Sequence, residues 1–323
     1  MAAFSRLLAV LLFACAALPA AAQSWPQKPV RIVVAYPPGG GIDVLARQLA
    51  DRLSAGWGQP VVVENRPGAN TIVATDAVAR SAPDGYTVLM TTDATFSINP
   101  HLYPKLPFDT QRDFVPVTML VLLHQLLVAH PALPANTLEE LIKLARAKPG
   151  AINYASYGSG SQPHLAGEML KNRAGIDLVH VPYKGISLAV PAVIAGEVQL
   201  TFAGIATSTA PLKAGRIKAL AIGGEQRSAL FPQVPTFAEL GYPEVQTHAW
   251  FGLFLPAGSP REAIERIYRD TRKILDDAEF RQKQLIDRGY EVVGSAPEAF
   301  AAYIRKDSES RARAVKVSGA KAE

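Results

Sequence analysis

The chain has 323 residues, 49% hydrophobic and 19% charged, with 24 Gly and 25 Pro. This is globular composition; it excludes a disordered, collagen-like or coiled-coil chain, and the length suggests about two domains. Lys and Arg number 33 against 28 acidic residues, a net charge of +5, but the basic residues are scattered and leave no footprint for nucleic acid. The single Cys excludes an internal disulfide.

The first segment reads as a leader. Arg6, an apolar run over residues 7–18 and Ala20-Ala21-Ala22 before Gln23 form the pattern of a secretory signal peptide over 1–22, cleaved near Ala22. The run is shorter than the ~20 residues a spanning helix needs. Cys15 lies inside it, so the mature chain carries no thiol. Phe13 and Ala14 before Cys15 fit a lipidation signal poorly, which makes a lipid anchor the weaker reading. The expectation is an exported protein that works without disulfides.

Strands and helices then alternate. Residues 30–36 read as a strand, followed by Pro37-Pro38-Gly39-Gly40-Gly41 and a helix with Leu45, Leu49 and Leu53 on one face and Gly56 as its stop. Strand 60–65, helix 71–80, the turn Pro83-Asp84-Gly85 and strand 86–92 come next. Residues 115–121 and 126–130 are two further apolar runs, and Thr137-x-x-Glu140 is a capping box opening a helix over 138–148. The rhythm repeats with strand 152–157, helix 163–174, strand 178–183, helix 187–195 and strands 198–203 and 217–222. After an apolar run at 251–255, Ser259-Pro260-x-Glu262 reads as the cap of a helix over 261–277. Strand 290–293 follows, and Ser295-x-x-Glu298 opens a final helix. Such alternation implies an α/β protein with parallel-rich sheets covered by helices, arranged as two lobes. The rhythm does not say which lobe takes the last 75 or so residues.

Two loops stand where chemistry is expected. One is Tyr36-Pro37-Pro38-Gly39-Gly40-Gly41-Ile42-Asp43; the other is Ser156-Tyr157-Gly158-Ser159-Gly160-Ser161-Gln162-Pro163-His164. Each joins a strand to a helix N-terminus, where glycines permit close approach and free N–H groups favour an anion. In open α/β sheets ligands sit beyond the carboxyl ends of strands, so both loops belong at a shared cleft. The bland alternative for either loop alone is a tight turn. Thr92 and Asp93, after the third strand, belong at the same cleft or begin a turn. Neither loop holds Lys or Arg, and neither is a Walker loop or a dinucleotide fingerprint. Backbone amides, hydroxyls and a Tyr suit a carboxylate better than a multiply charged phosphate.

Enzymatic readings fare worse. Ser156 to Ser161 contains no G-x-S-x-G elbow. The six His form no H-x-x-x-H pair, so neither a zinc site nor any catalytic residue or cofactor is assigned. His164 near Ser161 hints at acyl transfer in a secreted hydrolase, but a first-turn His bonding nearby backbone is preferred. Asp43 reads as a helix-start residue rather than a general base.

At these residues the sequence resembles the Bug family of periplasmic solute-binding receptors linked to tripartite tricarboxylate transporters. The marks span the mature chain: Trp25-Pro26-x-Lys28-Pro29-Val30, Pro37-Pro38-Gly39-Gly40-x-x-Asp43-x-x-Ala46-Arg47, Val61-Val62-Val63-Glu64-Asn65-Arg66-Pro67-Gly68-Ala69 and Pro83-Asp84-Gly85-Tyr86. They continue with Gly158-Ser159-Gly160-Ser161-x-x-His164-Leu165-Ala166-Gly167-Glu168, Val181-Pro182-Tyr183-Lys184-Gly185, Pro235-Thr236-x-x-Glu239-x-Gly241-Tyr242-Pro243 and Trp250-Phe251-Gly252-Leu253-x-x-Pro256-Ala257-Gly258. The resemblance implies a two-lobed, type II-like periplasmic-binding-protein fold, with lobe 1 formed by 23–124 plus 250–323 and lobe 2 by 125–249. It implies that the two loops grip a carboxylate, with Thr92, Asp93, Ala94, Lys184 and Gly185 nearby. A membrane transporter of tripartite tricarboxylate type is the implied partner, a signalling role is the variant on this theme, and a monomer is expected. One departure stands out: the family usually continues with glycines after Ala69, where this chain has Asn70-Thr71-Ile72.

Overall fold

The computed structural model describes residues 25–245 and 247–320. The leader over 1–22 and Cys15 lie outside the described residues. Among these residues no helix is long and apolar enough to cross a membrane.

The first third alternates as expected: β1 (Val30–Val34), α1 (Gly41–Trp57), β2 (Val61–Asn65), α2 (Ile72–Ala79) and β3 (Thr87–Thr92). The α1 stop is Gly58, in the left-handed region at φ 65°, rather than Gly56. A wide turn over Ala94–Ile98 and a short helix, Asn99–Leu102, lead to β4 (Phe114–Ala129). The two apolar runs are thus one strand of 16 residues, and the polar pair His124-Gln125 between them marks where the strand leaves one sheet and enters the next.

The middle third repeats the pattern with α3 (Leu138–Ala147), β5 (Asn153–Ser156), α4 (Gln162–Ala174), β6 (Val179–Pro182), α5 (Ile186–Ala195), β7 (Leu200–Gly204), α6 (Ile205–Lys213) and β8 (Lys218–Ile222). The Thr137 cap forms as read, with Glu140 N–H donating to Thr137 Oγ1 at 3.1 Å, while the Glu140 carboxylate accepts from Asn136 N–H at 2.6 Å, one residue before the cap. The chain then returns through β9 (His248–Pro256), α7 (Arg261–Asp276), β10 (Tyr290–Val292) and α8 (Pro297–Ser318). Neither late capping box forms. Ser259 Oγ makes no hydrogen bond, Glu262 accepts instead from Trp25 N–H, and Ser295 Oγ accepts from Met119 N–H. Both side chains are recruited by distant segments. Helix α7 still buries Ala263, Ile267, Thr271 and Leu275 on a single i, i+4 stripe.

The strands form one path, β2-β1-β3-β9-β4-β7-β5-β6, with β8 and β10 also on β4. The outer pairs β1–β2, β1–β3, β5–β6 and β5–β7 are parallel. The pairs made by β4 with β7, β8, β9 and β10 are antiparallel, so each lobe carries a mixed sheet. One core joins residues such as Ile32, Leu49 and Leu89 with Trp250, Phe254 and Phe300. The second lobe's sheet is covered on both faces. Leu127 and Ala129 pack into one cluster and Leu126 and Val128 into the other, as the two-residue side-chain period requires.

The crossing point is tightly tied. Gln125 N–H donates to Thr247 O at 3.0 Å, and Gly223 N–H donates to Gln125 O at 3.0 Å. Thr247 Oγ1 also donates to Gln125 O. Gly223 is needed there, since a Cβ would lie 1.7 Å from Thr247 Oγ1.

Candidate functional site between the lobes

The β1–α1 loop ends on Gly40, and its shape is held from behind. Gly39, at φ 86°, donates its N–H to Asp43 Oδ2 at 2.9 Å. Asp43 Oδ1 accepts from Asn65 Nδ2 at 2.8 Å and pairs with Arg47 at 3.0 Å. Burial pushes the Asp43 pKa up, but the bonds from Arg47, Gly39 and Asn65 outweigh that and hold it below the usual carboxylate range. Asp43 therefore braces the loop and does not line the cavity. Pro38 and Gly39 are exposed on its rim.

Tyr36, Gly40, Gly41, Thr92 and Tyr157 do line one cavity between the lobes. Its space, about 600 Å³ including the mouth, is that of a small-metabolite site. Tyr36 hydroxyl and Thr92 Oγ1 are 3.0 Å apart, and the Tyr36 and Tyr157 rings meet edge to face at 6.0 Å. Burial raises both phenols above their ordinary range, so they stay neutral hydrogen-bonding groups.

Three helices start at this cavity. Gly40 and Gly41 open α1, Ile186 and Ser187 open α5, and Gly204, Ala206 and Thr207 open α6. Each N-cap is a glycine, Gly40, Gly185 or Gly204, and none makes a side-chain cap hydrogen bond. The first-turn N–H groups and the positive ends of three helices thus face one space from two lobes. The rest of the wall is Leu123, Gln125, Ala249, Phe251 and Tyr290 with Pro37 and Ile42. No Lys, Arg, His, Asp or Glu is among the described lining residues.

The second loop sits beside this space. Gly158 and Ser159 line an adjoining hollow with Asn70, Tyr183 and Lys184, and Tyr36 and Tyr157 belong to both walls. Ser156, Gly160, Ser161 and His164 lie beneath it. The Ser156 hydroxyl and His180 Nε2 are 2.7 Å apart, Gly160 N–H donates to His164 Nδ1 at 2.9 Å, and the two imidazoles stack at 3.9 Å. Gly185 faces the opposite lobe, where a Cβ on it would lie 2.9 Å from Pro37 Cδ. Asp93 turns away from the cavity to Arg311, 3.3 Å distant, and Ala94 N–H donates to Thr92 Oγ1. Ala69, Asn70 and Thr71 all have positive φ, the glycine-like backbone expected where this chain departs from the family pattern.

The α6 start and the β9–β10 wall were not read from sequence. A strand running into Gly204 and then a helix follows the same grammar as Gly40, but Pro211 inside α6 hides its helical period.

A ligand cavity closed by helix N-termini from two α/β lobes defines a two-lobed solute-binding protein. The model of the TctC family, tripartite tricarboxylate transporter family receptors, matches residues 45–319, and the chain belongs to that family. The protein BugT of Bordetella pertussis is 36% identical over 326 residues, covering 98% of each chain. The structure of R. palustris Rpa4515 with adipate is 31% identical with a TM-score of 0.89, covering 92% of this chain and 99% of that one. MatC (Rpa3494) from Rhodopseudomonas palustris with bound malate is 30% identical with a TM-score of 0.85, covering 91% and 100%. The resemblance read from the motifs is borne out.

Proposed function

We propose that this chain is a periplasmic receptor that holds a small organic carboxylate between its lobes and presents it to a membrane transporter without catalysing a reaction. The observation that carries this reading is the convergence of the uncapped starts of α1, α5 and α6 on one cavity. The bound adipate and malate of the two R. palustris proteins support it. In this reading lobe 1 is 23–124 plus 250–323 and lobe 2 is 125–249, hinged where Gln125, Gly223 and Thr247 cross. Tyr36, Gly40, Gly41, Thr92 and Tyr157 face the ligand, and Ser159 and Lys184 stand at the adjoining hollow. Ligand seated on one lobe offers new contacts to the other, so it favours closure by its difference in affinity for the two states.

A hydrolase reading needs Ser161 activated by a base. Ser161 Oγ is buried and makes no hydrogen bond, while His164 Nδ1 is engaged by Gly160. A thermal-shift and calorimetry panel of carboxylates tests the proposal. One-site saturation at 100 times Kd raises apparent stability by about 2.7 kcal/mol, and mass spectrometry recovers the ligand unchanged. No shift with any carboxylate, or product formation that Ser161→Ala abolishes, overturns it.

A further inference from the structure

Resting on the receptor reading above, we propose that Asn70, Ser159 and Lys184 form a subsite for a 2-hydroxycarboxylate end of the ligand, with Asn70 selecting the hydroxyl. The ligand's other carboxylate rests on the starts of α1, α5 and α6. Tyr36 and Tyr157 belong to the walls of both the cavity and the adjoining hollow, so one ligand passes these rings with an end in each space. The hollow encloses about 620 Å³ including its mouth. Lys184 stands exposed at its rim, and no acidic side chain is among the described lining residues to neutralise it. That single cation suits a carboxylate and disfavours an ammonium at the same end.

The acceptor in this hollow is fixed by its neighbours. Asn99 is fully buried, and its Nδ2 donates to the Asn70 backbone carbonyl at 2.7 Å. A carbonyl only accepts, so the Asn99 amide takes one orientation, and its Oδ1 is left to receive Asn70 Nδ2 at 2.7 Å. Asn70 Oδ1 is the atom left over. It is buried with no hydrogen-bond partner and faces the second loop, where a Cβ on Gly158 would lie 3.9 Å from it. Ser159 Oγ, on that loop, is likewise buried and unpartnered. Two orphaned oxygens in one hollow are costly. A carboxylate beside Lys184 accepts from the Ser159 hydroxyl, and a hydroxyl on the adjacent carbon donates to Asn70. Asn70 belongs to lobe 1 of this reading and Ser159 and Lys184 to lobe 2, so the same ligand end draws the lobes together.

The test is calorimetry on the full mature chain with succinate, malate and aspartate, and with glutarate, 2-hydroxyglutarate and glutamate. In the series whose length fits, the 2-hydroxy acid is expected to bind about tenfold or more tighter than its plain and 2-amino counterparts. Asn70→Gly, which the positive φ of 45° accommodates, should abolish that margin. Lys184→Gln should weaken the plain and hydroxy acids alike by severalfold. A plain or amino acid that binds as tightly as the hydroxy acid overturns the subsite and leaves the receptor reading standing. So does a margin kept in Asn70→Gly, or an unchanged affinity in Lys184→Gln. Binding by none of these acids while another carboxylate binds overturns the subsite alone; no binding by any carboxylate overturns both. If Asn70→Gly does not fold, the ranking on the unaltered protein decides together with Lys184→Gln.

Discussion

Gly41 is the residue on which the cavity's shape turns. A Cβ there would stand 2.4 Å from the Tyr290 hydroxyl and 4.0 Å from Phe251 Cε2, so any side chain forces the Tyr290 ring out of the wall. Gly41→Ala is expected to weaken ligand binding about tenfold or more, the equivalent of ~1.4 kcal/mol, in calorimetry. Gly40 tolerates more, because its Cβ would meet only Ile186 Cγ2 at 3.3 Å. A second residue-scale feature is the His164–His180 stack under the second loop. Burial, reinforced by His164 and Lys171, lowers His180 to about 3. Its folded pKa lies below the unfolded one, so the unfolded chain binds the extra proton and stability falls as pH drops from about 6.5 towards 3. His180 should therefore lower stability between about pH 7 and pH 5, by less than the ~2 kcal/mol of a fully enclosed imidazole because solvent screens its half-buried ring. In urea titrations, His180→Gln should flatten that pH dependence by a comparable amount; an unchanged slope would show that the imidazole titrates freely.

Among the elements, β4 and α8 do most to join the lobes. Strand β4 pairs β9 and β10 with its first part and β7 and β8 with its last. Helix α8 packs across both halves: Val315 joins Ile98 and Leu165, and Asn172 Nδ2 donates to Val317 O at 2.9 Å. Arg311 is 1% exposed, held between Asp93 at 3.3 Å and Asp307 at 3.4 Å, with Trp250 Nε1 also donating to Asp307. The basic stretch Arg305–Lys321, interspersed with Asp307 and Glu309, has the charge pattern of a solvated helix face, yet Arg311 is a core residue. Charge pattern alone cannot reveal that: Asp307 stands four residues away on the same helix, but Asp93 comes from just past the far end of β3. Local signals fared well where they were strong: the Leu45, Leu49 and Leu53 stripe, the Thr137 box and the glycine loops are features of neighbouring residues. What escaped depends on distant partners. Gln125, Phe251 and Tyr290 meet the helix starts only because β4, β9 and β10 are adjacent strands, and Asp43 leaves the cavity because Asn65 on β2 captures it.

At the scale of the whole molecule, the proposed function rests on how closely the lobes approach. Pro37 and Gly185 oppose each other across the cleft, and Gly185 at φ 162° has extended backbone that any residue adopts. Gly185→Leu should therefore act as a wedge without backbone strain. The expected outcome is a larger radius of gyration in small-angle scattering with ligand present and an affinity lower by about tenfold, at unchanged unfolding midpoint of the free protein. Equal compaction in variant and parent would show that closure does not pass through this contact.

The chargeless lining has one more consequence. A compartment outside the cytoplasmic membrane follows the surrounding medium in acidity and salinity, and a binding site made of ionised side chains would drift with it. Fixed peptide dipoles do not titrate, and enclosed ones are only weakly screened by dissolved ions. Such a molecule keeps a steady hold on its cargo while its surroundings fluctuate.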